Sequence, residues 1–346
     1  MNIFNGYKIM NKILVHQPSH YIGNIGDAAI MKAIESEFDN IGIKYIVPLS
    51  AHAISCENPE NYSHLVYVGC DCLAHYNMNE GIINKFINAG KRVYFINVSW
   101  SKNARNVEYL AKINKSANVQ MIFRDELSMK LFEEMIECVN KPILAADLAI
   151  LCPAHDVGST SPNMNWIKSS NKPVIGINIH RDYGKDNGRI SDEIIKFINN
   201  HTDYRYLLIP HDTRKKEREI LIDFAKEIGN EQDYFISGYM QPEHEKTIFA
   251  EIEMIITCRL HVAIIAHSVM TPTMAISYNG VKAKGMFKHW DMEDFVISPD
   301  DIDQFESLSD ELLANRDRYH ARIMYCDAKV REMAKKQIDI ITGDTS

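Results

Sequence analysis

The sequence predicts an α/β fold made of two parallel-sheet domains. Three observations carry this. Short apolar runs alternate with stretches of helical period, which is the pattern of a parallel sheet covered on both faces. The alternation stops over 155–173, a stretch rich in Ser, Asn, Gly and Pro, and then restarts. The chain has 346 residues, more than one hydrophobic core usually holds.

The elements follow in order. Ile13–Val15 is a short strand, and Asp27–Phe38 is a helix with Ala28, Ile30, Met31, Ile34 and Phe38 on one face. Strands are expected at 44–48, 65–68, 92–98, 120–123 and 143–145, with helices at 79–89, 105–116 and 126–137. After the break, strands are expected at 174–179, 206–209, 233–236, 254–257, 273–276 and 295–297. Helices fill 191–199, 215–228, 242–250 and the stretch after Arg259. The tail from Asp300 is charged and helical in pattern at 306–314 and 319–341. The expected organisation is a first domain over 1–155, a second over 172–320, and a C-terminal helix over 321–346 that can cross back to the first domain.

Composition narrows the function. With 46% hydrophobic and 24% charged residues the chain reads as an ordinary globular protein. Its net charge of -8 argues against a nucleic-acid binder, so cations that grip an anion must be concentrated locally. Seven cysteines without a regular framework read as free thiols, and Cys70-Asp71-Cys72 has the wrong spacing for zinc. The first ten residues lack a signal-peptide core, and no stretch approaches the roughly 20 apolar residues of a membrane span. A cytoplasmic location is expected, with peripheral membrane contact left open.

The residues that carry chemistry sit where strands hand over to helices. Arg259-Leu260-His261 follows the apolar run Met254–Thr257 and opens an apolar helix. Ligands of open α/β sheets bind at the carboxyl ends of strands. Arg259 can fork onto a phosphate or carboxylate, and His261 can move a proton near neutral pH. His180-Arg181 and Pro210-His211-Asp212 end two other strands, so three histidines can meet at one edge. None has the paired spacing of a metal site, and neither metal nor cofactor is expected. Gly23-Asn24-Ile25-Gly26-Asp27 joins the first strand to the first helix, with Asp27 as the expected cap. Arg124-Asp125-Glu126-Leu127-Ser128 likewise enters a helix, Arg124 reading either as a surface pair with Asp125 or as a binding residue. Gly280 and Gly285 bracket Lys282 and Lys284, a solvated basic turn or a second anion clamp.

Taken together, these loops resemble the polysaccharide pyruvyltransferase family. The matching pieces are Gly23–Asp27, Arg124–Ser128, Asp147, Pro210-His211, Arg259-Leu260-His261 and Tyr278 with Lys282. The resemblance implies two Rossmann-like domains facing across a cleft, as in B-type glycosyltransferases. It implies a transferase that moves pyruvate from phosphoenolpyruvate onto two hydroxyls of a sugar as a cyclic ketal, releasing phosphate. The acceptor would be a cell-surface polysaccharide, such as capsule or exopolysaccharide, or its precursor. Whether it is lipid-linked, nucleotide-linked or polymeric stays open. By position, Arg259 binds the donor and His261 is the acid/base, with His211 and His180 as competitors. Arg181, His180, Lys282 and Lys284 fall on the donor side; Gly23, Asn24, Asp27 and Arg124 on the acceptor side. Gly69-Cys70-Asp71-Cys72 departs from the glycine run common in the family, which bears on the acceptor. The alternative is a glycosyltransferase using a nucleotide-activated sugar on the same fold, and a third reading is a non-catalytic saccharide-binding protein.

Overall fold

Among the described residues, twelve strands form two sheets of six, and every pairing within them is parallel. The computed structural model describes residues 12–18, 23–48, 50–70, 73, 78–158, 161–179, 188–228, 230–278 and 280–343. The chain divides into two units, one of residues 1–21, 34–146 and 333–346, the other of residues 22–33 and 147–332.

The first unit holds β1 (Lys12–His16), β2 (Lys44–Ile46), β3 (His64–Cys70), β4 (Arg92–Val98), β5 (Val119–Phe123) and β6 (Ile143–Leu144), in the order β2-β1-β3-β4-β5-β6. A parallel sheet with both faces covered needs unbroken apolar strands. β4 obeys: after Arg92 every residue is buried. Phe95, Met121 and Phe123 pack with Ile82, Ile83 and Phe86 of the helix Glu80–Asn88 and Phe132 of Glu126–Met135. Near the end of β4, Asn97 takes a left-handed φ of 55° where the β4–β5 register shifts. Its N–H donates to Gln337 Oε1 at 2.7 Å, and Gln337 Nε2 donates to the Ala146 carbonyl at 2.7 Å. That exchange ties the last helical turns of Arg316–Gly343 to this unit.

The second unit holds β7 (Val174–Asn178), β8 (Arg205–Leu208), β9 (Tyr234–Ile236), β10 (Met254–Thr257), β11 (Thr273–Ile276) and β12 (Val296–Ile297), ordered β12-β11-β10-β7-β8-β9. The winding reverses between β7 and β10, which opens a crevice at their carboxyl ends. Asn178 closes the base of this switch point. Its Nδ2 donates to the Ile209 carbonyl at 2.8 Å, and its Oδ1 accepts from Thr257 Oγ1 at 3.0 Å.

Several local expectations change. The supposed linker contains a helix, Pro162–Lys168, capped by Ser161 and docked through Trp166, which lies 3.7 Å under the Arg205 guanidinium and stacks on Phe235. The segment read as a solvated basic turn or a second anion clamp is helical, Gly280–Phe287, with Ala283, Met286 and Phe287 buried. Its glycines hid a βα step that the fold rhythm requires. Residues 22–33 and 147–155 group with the second unit, through contacts with the β8 and β10 ends described next. Among the described residues, Cys56, Cys138, Cys152, Cys258 and Cys326 are free thiols. Asp71 and Cys72 lie outside the described residues. No helix among the described residues is long and apolar enough to cross a membrane.

Candidate active site

The glycine loop is bolted to the end of β8. Asn24 makes an antiparallel bridge to Asp212, Ile25 N–H donates to the His211 carbonyl at 3.2 Å, and Thr213 N–H donates to the Gly23 carbonyl at 3.0 Å. Gly23 has a φ of 81°, and a Cβ there would lie 1.9 Å from Thr213 Oγ1, so only glycine fits. The helix it opens starts at Ile25, two residues earlier than expected, and the cap is Asn24 rather than Asp27. Asn24 Oδ1 accepts the Gly26 N–H at 3.0 Å and the Asp27 N–H at 3.4 Å. Asp27 instead occupies the first turn, buried.

Arg259 precedes the helix Leu260–His267 at the β10 end. Its guanidinium is held by two carboxylates that follow β8, the second strand over. Nε donates to Glu217 Oε1 at 2.8 Å, Nη2 donates to the same oxygen, and Nη2 reaches Asp212 Oδ2 at 3.4 Å. Glu217 is fully buried, and its other oxygen accepts the N–H groups of His211 (2.7 Å) and Asp212 (3.1 Å). One carboxylate thus pins the β8 end and aims the arginine. Arg214 adds a second guanidinium, with Nε 2.8 Å from Asp212 Oδ1 and Nη2 2.7 Å from Oδ2. Burial pushes the Asp212 carboxyl up, but the Arg214 hydrogen bonds and the Arg259 charge outweigh it and hold the group below the usual range.

His261, one helical step on, lies directly over Gly26: a Cβ at Gly26 would sit 2.2 Å from His261 Cγ and Nδ1. Its Nε2 is 3.6 Å from Asp147 Oδ2. Asp147 is buried and caps the short 3-10 helix Leu148–Leu151, accepting the Ala149 N–H at 2.8 Å. That helix is gripped at its far end. Lys246 Nζ donates to the Ile150 carbonyl at 3.1 Å and the Cys152 carbonyl at 2.6 Å, and Arg331 donates to the Ile150 and Ser268 carbonyls at 3.0 and 2.7 Å. The segments carrying Asp147 and His261 are therefore anchored by the same arginine. Burial, with the Arg331 charge, lowers the Lys246 ammonium to about 8.

The histidines divide by access. His261 is 12% exposed, whereas His211 is 1% exposed, with Nδ1 3.2 Å from a fully buried Glu245. Burial pushes the Glu245 carboxyl up against the opposing effect of His211. His211 Nε2 is buried without a hydrogen-bond partner among the described residues.

Of the residues singled out in the sequence, Gly23, Asn24, Asp27, His211, Arg259 and His261 belong to this one cluster. Arg124 belongs to the first unit, buried, with Nε 2.6 Å from Ser99 Oγ; it is no surface pair. Lys282 and Lys284 point apart on their helix, the first buried and the second exposed. His180 and Arg181 lie outside the described residues. Sequence reasoning missed Glu217, Arg214 and Glu245, which read as ordinary charges of helix starts. The signal that could have found Glu217 and Arg214 is a carboxylate and a guanidinium within six residues of His211; Glu245, 34 residues away, had no such signal. No group of three or more His, Cys, Asp or Glu suited to a metal occurs among the described residues.

An α/β chain with two such parallel sheets and an Arg-x-His junction at a strand end belongs to a recognisable class. The polysaccharide pyruvyl transferase family model matches residues 24–280, and the chain belongs to this family. It is a transferase family, with two-domain architecture like that of B-type glycosyltransferases. Comparison with curated proteins gives no match. Among solved structures, the chain is similar to a Listeria monocytogenes protein assigned as a UDP-N-acetylglucosamine 2-epimerase (TM-score 0.65, 8% identity, 96% of each chain covered). It is also similar to an Anabaena protein in complex with UDP and glucose (TM-score 0.62, 12% identity, 96% of this chain and 99% of that one). A glycosyltransferase of Rickettsia africae is similar too (TM-score 0.61, 12% identity, 98% and 99%). At such identities the likeness is one of fold.

Proposed function

We propose that this transferase moves pyruvate from phosphoenolpyruvate to a saccharide of a cell-surface polysaccharide or its precursor, closing a cyclic ketal and releasing phosphate. The observation that carries the reading is the His261–Asp147 pair seated on Gly26, two residues from Arg259, in a chain of the pyruvyl transferase family.

The donor must gain a proton at C3, which makes C2 electrophilic. One sugar hydroxyl attacks C2 and gives up its proton, replacing the one delivered to C3; the C2–O bond to phosphate then breaks, and the second hydroxyl closes the ketal on C2, its proton leaving on the released phosphate. These steps need one group that gives and takes a proton and fixed cations for the donor's two anionic groups. His261 suits the first role because its ring is partly exposed and Asp147 stands beside Nε2 to stabilise the imidazolium. His211 is less suited, since its ring is sealed against Glu245. Arg259 suits the second role because the two carboxylates fix its plane before any ligand arrives. The reaction so written uses phosphoenolpyruvate as substrate and calls for no cofactor.

Phosphorus NMR with phosphoenolpyruvate and a panel of galactosides and N-acetylhexosamines tests this. Acceptor-dependent growth of the inorganic phosphate signal is expected. Release of a nucleoside diphosphate from a nucleotide sugar, with phosphoenolpyruvate untouched, would support the glycosyltransferase reading instead. His261→Ala is expected to lower kcat about 10²- to 10⁴-fold.

A further inference from the structure

We propose that Arg214 is a second donor-binding residue, forming with Arg259 a two-guanidinium cradle for a ligand that carries two anionic groups; this rests on the phosphoenolpyruvate reading above. Both arginines donate from Nη2 to the same oxygen, Asp212 Oδ2, at 2.7 and 3.4 Å, so the two Nη2 atoms lie within about 6 Å of each other. Two cations at that spacing repel, and the fold invests two fully buried carboxylates, Asp212 and Glu217, in holding them together. Asp212 keeps its charge across the neutral range because its carboxyl is held below the usual value.

Arg214 is unusually fixed for a side chain in a surface turn. Its N–H and Nε both donate to Asp212 Oδ1, at 3.1 and 2.8 Å. The preceding Thr213 is fastened to the Gly23 carbonyl by its N–H at 3.0 Å and its hydroxyl at 3.2 Å. Yet its side chain stays 27% exposed, and that of Arg259 16% exposed, at the strand edge that carries His261. A guanidinium fixed by its neighbours and still open to solvent loses little freedom on meeting a carboxylate or phosphate. Lys282, buried, and Lys284, exposed on the other side of their helix, stay expectations for the same donor.

The test compares wild type with Arg214→Ala, Arg214→Gln and Arg214→Lys, reading kcat, the half-saturating phosphoenolpyruvate and acceptor concentrations, and Tm. Arg214→Ala and Arg214→Gln are expected to raise half-saturating phosphoenolpyruvate about 10- to 100-fold and to leave the acceptor value within about twofold. Arg214→Lys should recover part of the loss. Unchanged donor saturation in a variant of native Tm overturns the proposal. Where Arg214→Ala does not fold, Arg214→Gln and Arg214→Lys decide it in the same way. The rise in Tm with added phosphoenolpyruvate or inorganic phosphate gives a reading independent of turnover. A wild type that binds these anions without pyruvyl transfer defeats the function reading alone, and the cradle then stands or falls on whether Arg214→Ala loses that Tm rise. A wild type that binds neither anion overturns the cradle as well.

Discussion

Gly26 has no room for a side chain because the His261 ring occupies the space where a Cβ would go. The close approach seats the imidazole against the loop backbone and leaves Nε2 turned toward Asp147. Gly26→Ala should therefore push the ring off its seat. The expected result is a fall in kcat comparable to that of His261→Ala, about 10²-fold or more, with half-saturating phosphoenolpyruvate changed far less. Steady-state kinetics checks this; equal loss in both parameters would point to general damage of the site. Asp147→Asn makes a complementary probe. Asparagine caps as well as aspartate, so the 3-10 helix should persist, while the charge beside His261 disappears. A fall in kcat of about tenfold or more is expected, with half-saturating phosphoenolpyruvate changed far less, because the carboxylate that faces Nε2 during proton transfer is gone.

At the scale of elements, the site depends on a latch between two segments far apart in sequence, the start of the helix Ile25–Ile41 and the 3-10 turn Thr213–Lys215. Gly23→Ala attacks it twice, through a φ of 81° and a clash with Thr213 Oγ1. A loss of about 1–3 kcal/mol in urea unfolding is expected, with Thr213→Ala relieving the clash but not the backbone strain. A double mutant no more stable than Gly23→Ala would show that the clash matters little. The strands were legible because a doubly covered parallel sheet demands runs such as Met254–Thr257, and the order of βα steps then places their ends. The site was legible only where polar residues sat at those ends: Arg259, His261 and His211. Glu217 escaped because its partner, Arg259, is 42 residues away in the chain, and nothing local distinguishes a buried glutamate at a helix start from a solvated one. The helix Pro162–Lys168 escaped because seven residues are too few to show a period, and its hold includes Trp166 against Arg205 and Phe235. Asn24 displaced Asp27 as cap by three positions, a difference set by the bridge to Asp212 rather than by helix propensity.

For the molecule as a whole, each unit buries a histidine that must stay neutral. In the second unit His267 is fully buried, edge-on to Phe287 and Trp290 with ring centroids 4.8 and 4.9 Å away, and neither ring nitrogen has a partner among the described residues. Burial pulls it down to about 3. In the first unit burial pulls His16, at the end of β1, down to about 4. Both stand near 6.5 in an unfolded chain. Above that pH neither state is protonated and the stability is fully present. Below it the unfolded chain takes up a proton that the folded unit refuses, and stability falls by up to about 1.4 kcal/mol per pH unit for each histidine. The decline ends only when pH passes the folded values near 4 and 3. Glu245 and Asp125, whose carboxyls burial raises, act in the opposite sense, gaining stability as pH falls through their raised values. Wild type therefore mixes the two trends, and a difference measurement separates them. His267→Leu keeps an apolar side chain of similar size against Phe287 and Trp290 and removes the titration. Urea unfolding at pH 7.5 and pH 5 should show the variant losing about 2 kcal/mol less than wild type over that interval. Parallel losses in the two proteins would mean that His267 takes up its proton in the folded state, and that its pocket admits water.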